Sequence, residues 1–259
     1  GETPMLCLVS VLALGKAERE NMEKNRRRKR KGRKLWGISI FLLASLLILA
    51  GYMTFFQKKI LDVPYLSQEG TLATGCELVS ATMLLNYYGY NVTPEQVVEK
   101  TPKGPLRQTP EGLVGPHPAE LFVGDPHSAS GFGCYAPVVV SVLNSFLEAD
   151  GKRQAADLTG TDLDALIKNH VMQDRPVLVW ATMNMKAPKA GKSWTVESTG
   201  EKFQWIAGEH CLVLVGFDRN LYYFNDPYDS NGLISFPKDL VEKRYTALGR
   251  QAVAALDVR

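Results

Sequence analysis

The chain has 259 residues, 45% hydrophobic and 22% charged, a composition that excludes a disordered, collagen-like or repeat protein and leaves room for one globular domain with appendages. Its formal charge of +3 is held unevenly: residues 1–56 carry 11 Lys/Arg against 4 Asp/Glu, and the remainder carries 19 against 23. The larger part is therefore mildly acidic, which excludes nucleic-acid binding through clustered phosphate-neutralising charge.

In chain order, residues 1–21 read as an extension. The chain starts at Gly1, the apolar run Met5–Leu14 is too short to span a bilayer, and Met22 is a natural start. Lys24–Lys34 then holds nine basic residues in eleven, followed by 22 uncharged residues from Leu35 to Phe56. At about 1.5 Å per residue such a run forms roughly 33 Å of helix, close to the hydrocarbon thickness of a bilayer. Trp36, Tyr52, Phe55 and Phe56 lie near its ends, where aromatic rings favour the interface. The pattern predicts a basic cytoplasmic tail (1–34), a single transmembrane anchor (35–56) and an exported domain (57–259), placed outside the cytoplasm by the positive-inside rule. The rival is a cleavable signal peptide, whose apolar region runs about 7–15 residues to a small-residue cleavage site. The longer run and its aromatic end favour an uncleaved anchor.

Within the exported part, Ile60–Gly70 predicts a short extended segment. Thr74-Gly75-Cys76 leads into a helix ending at Gly89, with Val79, Met83 and Tyr87 at helical spacing and Thr74 as its cap. Thr93-Pro94-Glu95 opens a second helix. Residues 101–137 are rich in Pro and Gly without periodicity, which predicts a structured loop bordering a substrate groove. Helices follow at Val138–Leu147 and Asp162–Asn169, and Pro176–Met183 reads as a buried strand. His210–Phe217 and Leu221–Asn225, separated by Asp218-Arg219-Asn220, predict an antiparallel hairpin. Helices first and antiparallel strands later define an α+β domain.

A thiol attacks only as thiolate, and a helix N-terminus favours that anion. Cys76 begins such a helix behind a glycine. A base must accept its proton and a third group must orient the base. His210 opens a strand 134 residues downstream, and Asp226 follows the partner strand of the hairpin. Antiparallel pairing brings the start of one strand beside the end of the next, so Asp226 is predicted to hold the His210 imidazole. Gln68, eight residues before Cys76, offers an amide donor to a developing oxyanion. The helix start and a nearby imidazolium are both expected to lower the Cys76 pKa. Taken alone, a cysteine is more often a small buried hydrophobe and a histidine a satisfied structural group.

The blocks VPYLSQEG-x5-CELVSATMLLNYYGY, FVGDPHSASGFGCYAP, GEHCLVLVGFD and YYFNDP resemble the stand-alone bacterial relatives of the bacteriocin-processing, double-glycine cysteine peptidases, over about residues 60–245. The resemblance implies a papain-like fold and a Cys-His-Asp triad on Cys76, His210 and Asp226, with Gln68 as the oxyanion donor. The transporter-fused members cut leader peptides after Gly-Gly, but this sequence contains no GxxxxGK[ST] motif.

The implied activity is hydrolysis of peptide bonds through a thioester, with a peptide, protein or cell-wall peptide as partner and no cofactor or metal. An amidase or acyl-transferase acting on cell-wall peptides, or an inactive peptide-binding domain, are the alternatives. Cys134 and Cys211 are expected to be buried free thiols, although a bond between them is conceivable. His117, His127, Asp125 and Cys134 have no zinc-ligand spacing. Trp194 and Trp205 are assigned to packing.

Overall fold

Two strands that read as continuous apolar runs form the centre of the protein: β7 (Val177–Thr182) and β10 (Glu209–Phe217), every residue of both being buried. The structure, a computed structural model, describes residues 22–24, 26, 28, 29, 36, 39–49, 51, 58–149, 151–228 and 232–258. It divides into two units, residues 1–57 and 58–259.

In the first unit the described residues, including 39–49, are helical with exposed side chains. Among the described residues no helix is long and apolar enough to cross a membrane. Much of the predicted anchor at 35–56 and of the basic tail before it lies outside the described residues.

In the second unit, β1 (Lys59–Ile60), β6 (Arg153–Asp157), β11 (Leu221–Asn225), β12 (Leu233–Pro237) and β13 (Ala252–Asp257) complete a seven-stranded sheet. Its order is β12-β11-β10-β7-β13-β6, β1 adds to β10, and every pairing is antiparallel. Gly216 permits the β1 contact, because a Cβ there would run into the backbone of Lys59 and Ile60.

Helix α1 (Cys76–Tyr87) packs on this sheet and is buried from Cys76 through Leu85. Leu78, Leu84 and Leu85 are fully buried, and truncating one of them to Ala is expected to cost about 2–5 kcal/mol. A helix buried all round must satisfy its polar groups internally. Accordingly, Thr82 donates to Leu78 O at 2.7 Å and Ser80 to Cys211 O at 3.2 Å. Helix α2 (Pro94–Lys100) starts at the predicted cap, where Thr93 and Gln96 form a reciprocal capping box. Helices α3 (Ala136–Leu147), α4 (Leu163–Asn169) and α5 (Lys238–Ala247) complete the set.

The regions read as irregular contain a second, four-stranded sheet: β3 (Arg107–Thr109), β4 (Gly112–Gly115), β8 (Lys189–Val196) and β9 (Lys202–Ala207), in that order. Two further short strands, β2 (Lys103–Gly104) and β5 (Phe122–Val123), pair in parallel. Trp194 and Trp205 are core residues of a separate cluster with Val123, against which Phe132, Tyr135 and Phe203 pack. The packing assignment for both tryptophans therefore holds. The fold is α+β as predicted, with a larger β component than the sequence suggests.

Candidate active site

The local geometry follows from a gap in the sheet. Strand β11 pairs with β10 only from Val213 to Phe217. The first residues of β10 therefore have β7 on one edge and receive the start of α1 on the other. There the Cys211 N–H donates to Cys76 Sγ at 3.5 Å, and Ser80 holds the Cys211 carbonyl.

His210 lies between Glu209 and Cys211 and is 0% exposed. Its Nε2 is 2.6 Å from Oδ1 of Asp226, which is 1% exposed. The same oxygen accepts the Tyr228 N–H at 2.9 Å. A carboxylate only accepts, so with Asp226 in that form the proton between ring and acid is carried on Nε2. Nδ1 is then left with its lone pair, buried and without a hydrogen-bond partner. Tyr228 meets the imidazole edge to face.

Asp226 is fixed by the N-terminal segment. Asn225 Nδ2 donates to Val63 O at 2.8 Å, and the Gln68 N–H donates to Pro227 O at 2.8 Å. This clasp brings Gln68 to the same corner, 4% exposed. Its Nε2 donates to Ala73 O at 3.4 Å and its Oε1 has no partner.

The expected cap of α1 is corrected by the structure. Gly75, not Thr74, is the cap residue, and no side chain caps the helix. Thr74 instead bonds into the Gly/Pro-rich segment, its hydroxyl meeting Asp125 O and Ser128 O and its N–H donating to Pro126 O. That segment therefore packs over the start of α1.

The electrostatics of Cys76 also run against the sequence expectation. The thiol is 5% exposed and donates to Glu77 Oε2 at 3.3 Å. Burial, then the carboxyls of Glu77 and Glu209 and the neighbouring Cys211, push its pKa well above the ordinary value, and the Cys211 N–H opposes them. The helix start does not overcome these charges, so the resting group is a neutral thiol.

The sequence reading missed Glu77 and Glu209. Burial raises Glu77 to about 7, opposed by N–H donation from its own backbone and from Cys134, the latter at 2.7 Å. Burial and then Glu77 push Glu209 well above the carboxylate range, and neither of its side-chain oxygens has a hydrogen-bond partner. A charged residue beside each of two candidate catalytic positions, inside elements otherwise apolar, was the available signal.

Cys134 and Cys211 are buried free thiols with raised pKa values, not a disulfide. His117 packs on Phe203 and Tyr135, whereas His127 is exposed and contacts Asp125 and Glu95.

Comparison with known proteins gives the family of this α+β domain. Residues 60–253 match the model of the Peptidase_C39 like family, and the chain belongs to that family. It is 29% identical over 182 residues to the uncharacterized protein YvpB of Bacillus subtilis (strain 168), covering 70% of this chain and 69% of that one. A crystal structure of a candidate C39-like peptidase from Bacillus anthracis matches with a TM-score of 0.67 at 28% identity, over 78% of this chain and 98% of that one. A looser likeness, TM-score 0.44 at 17% identity over 77% and 93%, is to a double glycine motif protease from an AMS/PCAT transporter in complex with its leader peptide.

Proposed function

We propose that the protein is a cysteine peptidase, held at a membrane by residues 35–56 with residues 57–259 outside the cytoplasm. The observation that carries the peptidase reading is the His210–Asp226 pair. It is buried, bonded at 2.6 Å through Nε2, and leaves Nδ1 unpartnered on the strand whose next N–H already holds Cys76 Sγ.

In this reading the Cys76 thiol turns from Glu77 and gives its proton to His210 Nδ1 as Sγ attacks the scissile carbonyl. Asp226 stabilises the imidazolium and keeps the ring oriented. The carbonyl oxygen becomes an oxyanion, stabilised by Gln68 Nε2 and the Cys76 N–H. Collapse transfers the His210 proton to the leaving amine and leaves a thioester, which water hydrolyses with His210 again accepting the proton. Substrate must release Gln68 Nε2 from Ala73 O and open a site whose four residues are at most 5% exposed.

Incubation of the full chain with a peptide library, double-glycine peptides and cell-wall fragments tests the activity. Turnover lost in Cys76→Ala and in His210→Ala is expected, and full turnover in Cys76→Ala would overturn the reading. For the membrane part, protease added to intact cells should remove residues beyond about 60. Full protection of the domain would overturn export.

A second reading, a peptide-binding domain without turnover, is favoured by the neutral, buried thiol. It is selected if peptides bind and none of the three substrate classes is cut.

A further inference from the structure

Three ligand atoms converge where the proposed nucleophile sits. Cys76 Sγ, a Glu77 oxygen and a Glu209 oxygen all lie within 4.8 Å of one another, in fully buried surroundings. Glu77 is 0% and Glu209 7% exposed. One Glu209 oxygen belongs to this group and neither has a hydrogen-bond partner, although a buried carboxyl without a partner is costly. Gly133 shapes the space, since a Cβ there would run into Glu77 Oε1 and approach Glu209 Oε2 at 3.3 Å.

We propose that Cys76, Glu77 and Glu209 form a binding site for a thiophilic divalent cation of the Zn²⁺ class, which occupies the nucleophile reversibly and silences it. Zinc bonds of about 2.3 Å to sulfur and 2.0–2.2 Å to oxygen, at tetrahedral angles, put those ligands roughly 3.5 Å apart. The Cys76 Sγ to Glu77 Oε2 distance is 3.3 Å. A thiolate with two carboxylates selects against Mg²⁺ and Ca²⁺, which prefer all-oxygen shells of six or more ligands. Three protein ligands leave a fourth position for water. Binding forms one S–metal and two O–metal bonds and releases to solvent the thiol proton together with any protons held by the two carboxyls, with no change of oxidation state. It also supplies Glu209 with the partner it lacks. The site itself stands on geometry, and only the silencing rests on the peptidase reading.

The test is a titration of the reduced, metal-free full chain with Co²⁺ alone, read by the thiolate-to-cobalt absorption band in the near ultraviolet. One equivalent should produce the band, and Zn²⁺ should bleach it by displacement. Cys76→Ser should abolish the band, whereas Cys134→Ser should keep it. Glu209→Gln should weaken binding by more than the roughly 10–100-fold that changes around a metal's own ligands cost. Thermal melts of each variant separate lost binding from lost fold. No band from a folded wild-type chain would overturn the site and leave the carboxyls holding protons alone. A band that survives in Cys76→Ser, or unweakened binding by folded Glu209→Gln, would overturn it equally. Turnover that falls with the same Co²⁺ dependence as the band supports the silencing. A band without turnover on any substrate supports the site while removing the peptidase reading.

Discussion

The protein holds two histidines against carboxylates, and they differ in little except water. His210 meets Asp226 at 2.6 Å with both side chains 1% exposed. His127 meets Asp125 and Glu95, each at 3.1 Å, on the surface. Both acids raise the His127 pKa, Asp125 first, but solvent competes for every partner, and exposed pairs of this kind contribute about 0–1 kcal/mol. At the buried corner no water competes, so ring orientation and tautomer are dictated. The lesson is that a carboxylate beside an imidazole makes a chemical device only where its alternatives have been removed.

The comparison can be broken most sharply by turnover. Cys76→Ala or His210→Ala should reduce kcat/KM by at least about 1000-fold, as removal of a nucleophile or its base does in comparable triads, while His127→Ala should stay within about two-fold. Equal losses from His210→Ala and His127→Ala in folded protein would erase the distinction. Stability gives the next largest contrast. Asp226→Ala leaves the buried imidazole N–H without an acceptor and should cost about 1–3 kcal/mol in denaturant unfolding, whereas Asp125→Ala should leave the unfolding midpoint nearly unchanged.

The third contrast is in pH. Glu77 is raised from 4.5 to about 7 by burial, so the fold takes up a proton between those values. The stability this contributes is fully present below pH 4.5 and is lost as pH rises through about 7. The Glu209 shift acts in the same sense. In metal-free buffer, the melting temperature should fall over this window, and Glu77→Gln should flatten the fall. An unchanged slope in Glu77→Gln would place the proton elsewhere. The smallest effect concerns alkylation. Because burial raises all three described thiols, iodoacetamide should label slowly at pH 6 and faster at pH 9, with Cys76 first by mass spectrometry. Rapid labelling of Cys76 at pH 6 would restore the thiolate that the sequence alone suggested.

Much of this was legible in the residues because single elements carried strong patterns. The helix after Gly75, the helix opened at Thr93 and the strands at 177–182, 209–217 and 221–225 lie where residue spacing put them, within a residue or two. The His210–Asp226 contact was anticipated from the hairpin, but the pairing ends at Val213 and Asn225, and the last step rests on the clasp to Val63 and Gln68. The β8–β9 hairpin was not legible. Its exposed residues include Lys189, Lys192 and Lys202, and its two tryptophans find partners, Phe132 and Tyr135, in a region distant in sequence. The cap at Thr74 failed for a similar reason, since a tertiary contact to residues 125–128 took the hydroxyl away from the helix. The Cys76 pKa was misread because the helix start was visible in sequence, whereas burial, the largest cause of the rise, comes only with the fold, and the neighbouring Glu77 was passed over.

The bond from Asn225 to the Val63 carbonyl spans 162 positions, and the one between Ser67 and Pro227 spans 160. Contacts of such separation form late, after the chain between them has been made and its closure entropy met. The segment bearing Gln68 leaves the ribosome some 160 residues before the carbonyl at Pro227 on which it docks. Until then the imidazole has no acid behind it and the amide donor no corner to sit in. A nascent chain therefore carries Cys76 as an ordinary exposed thiol, and the proposed site cannot assemble until the residues around Asp226 have been made.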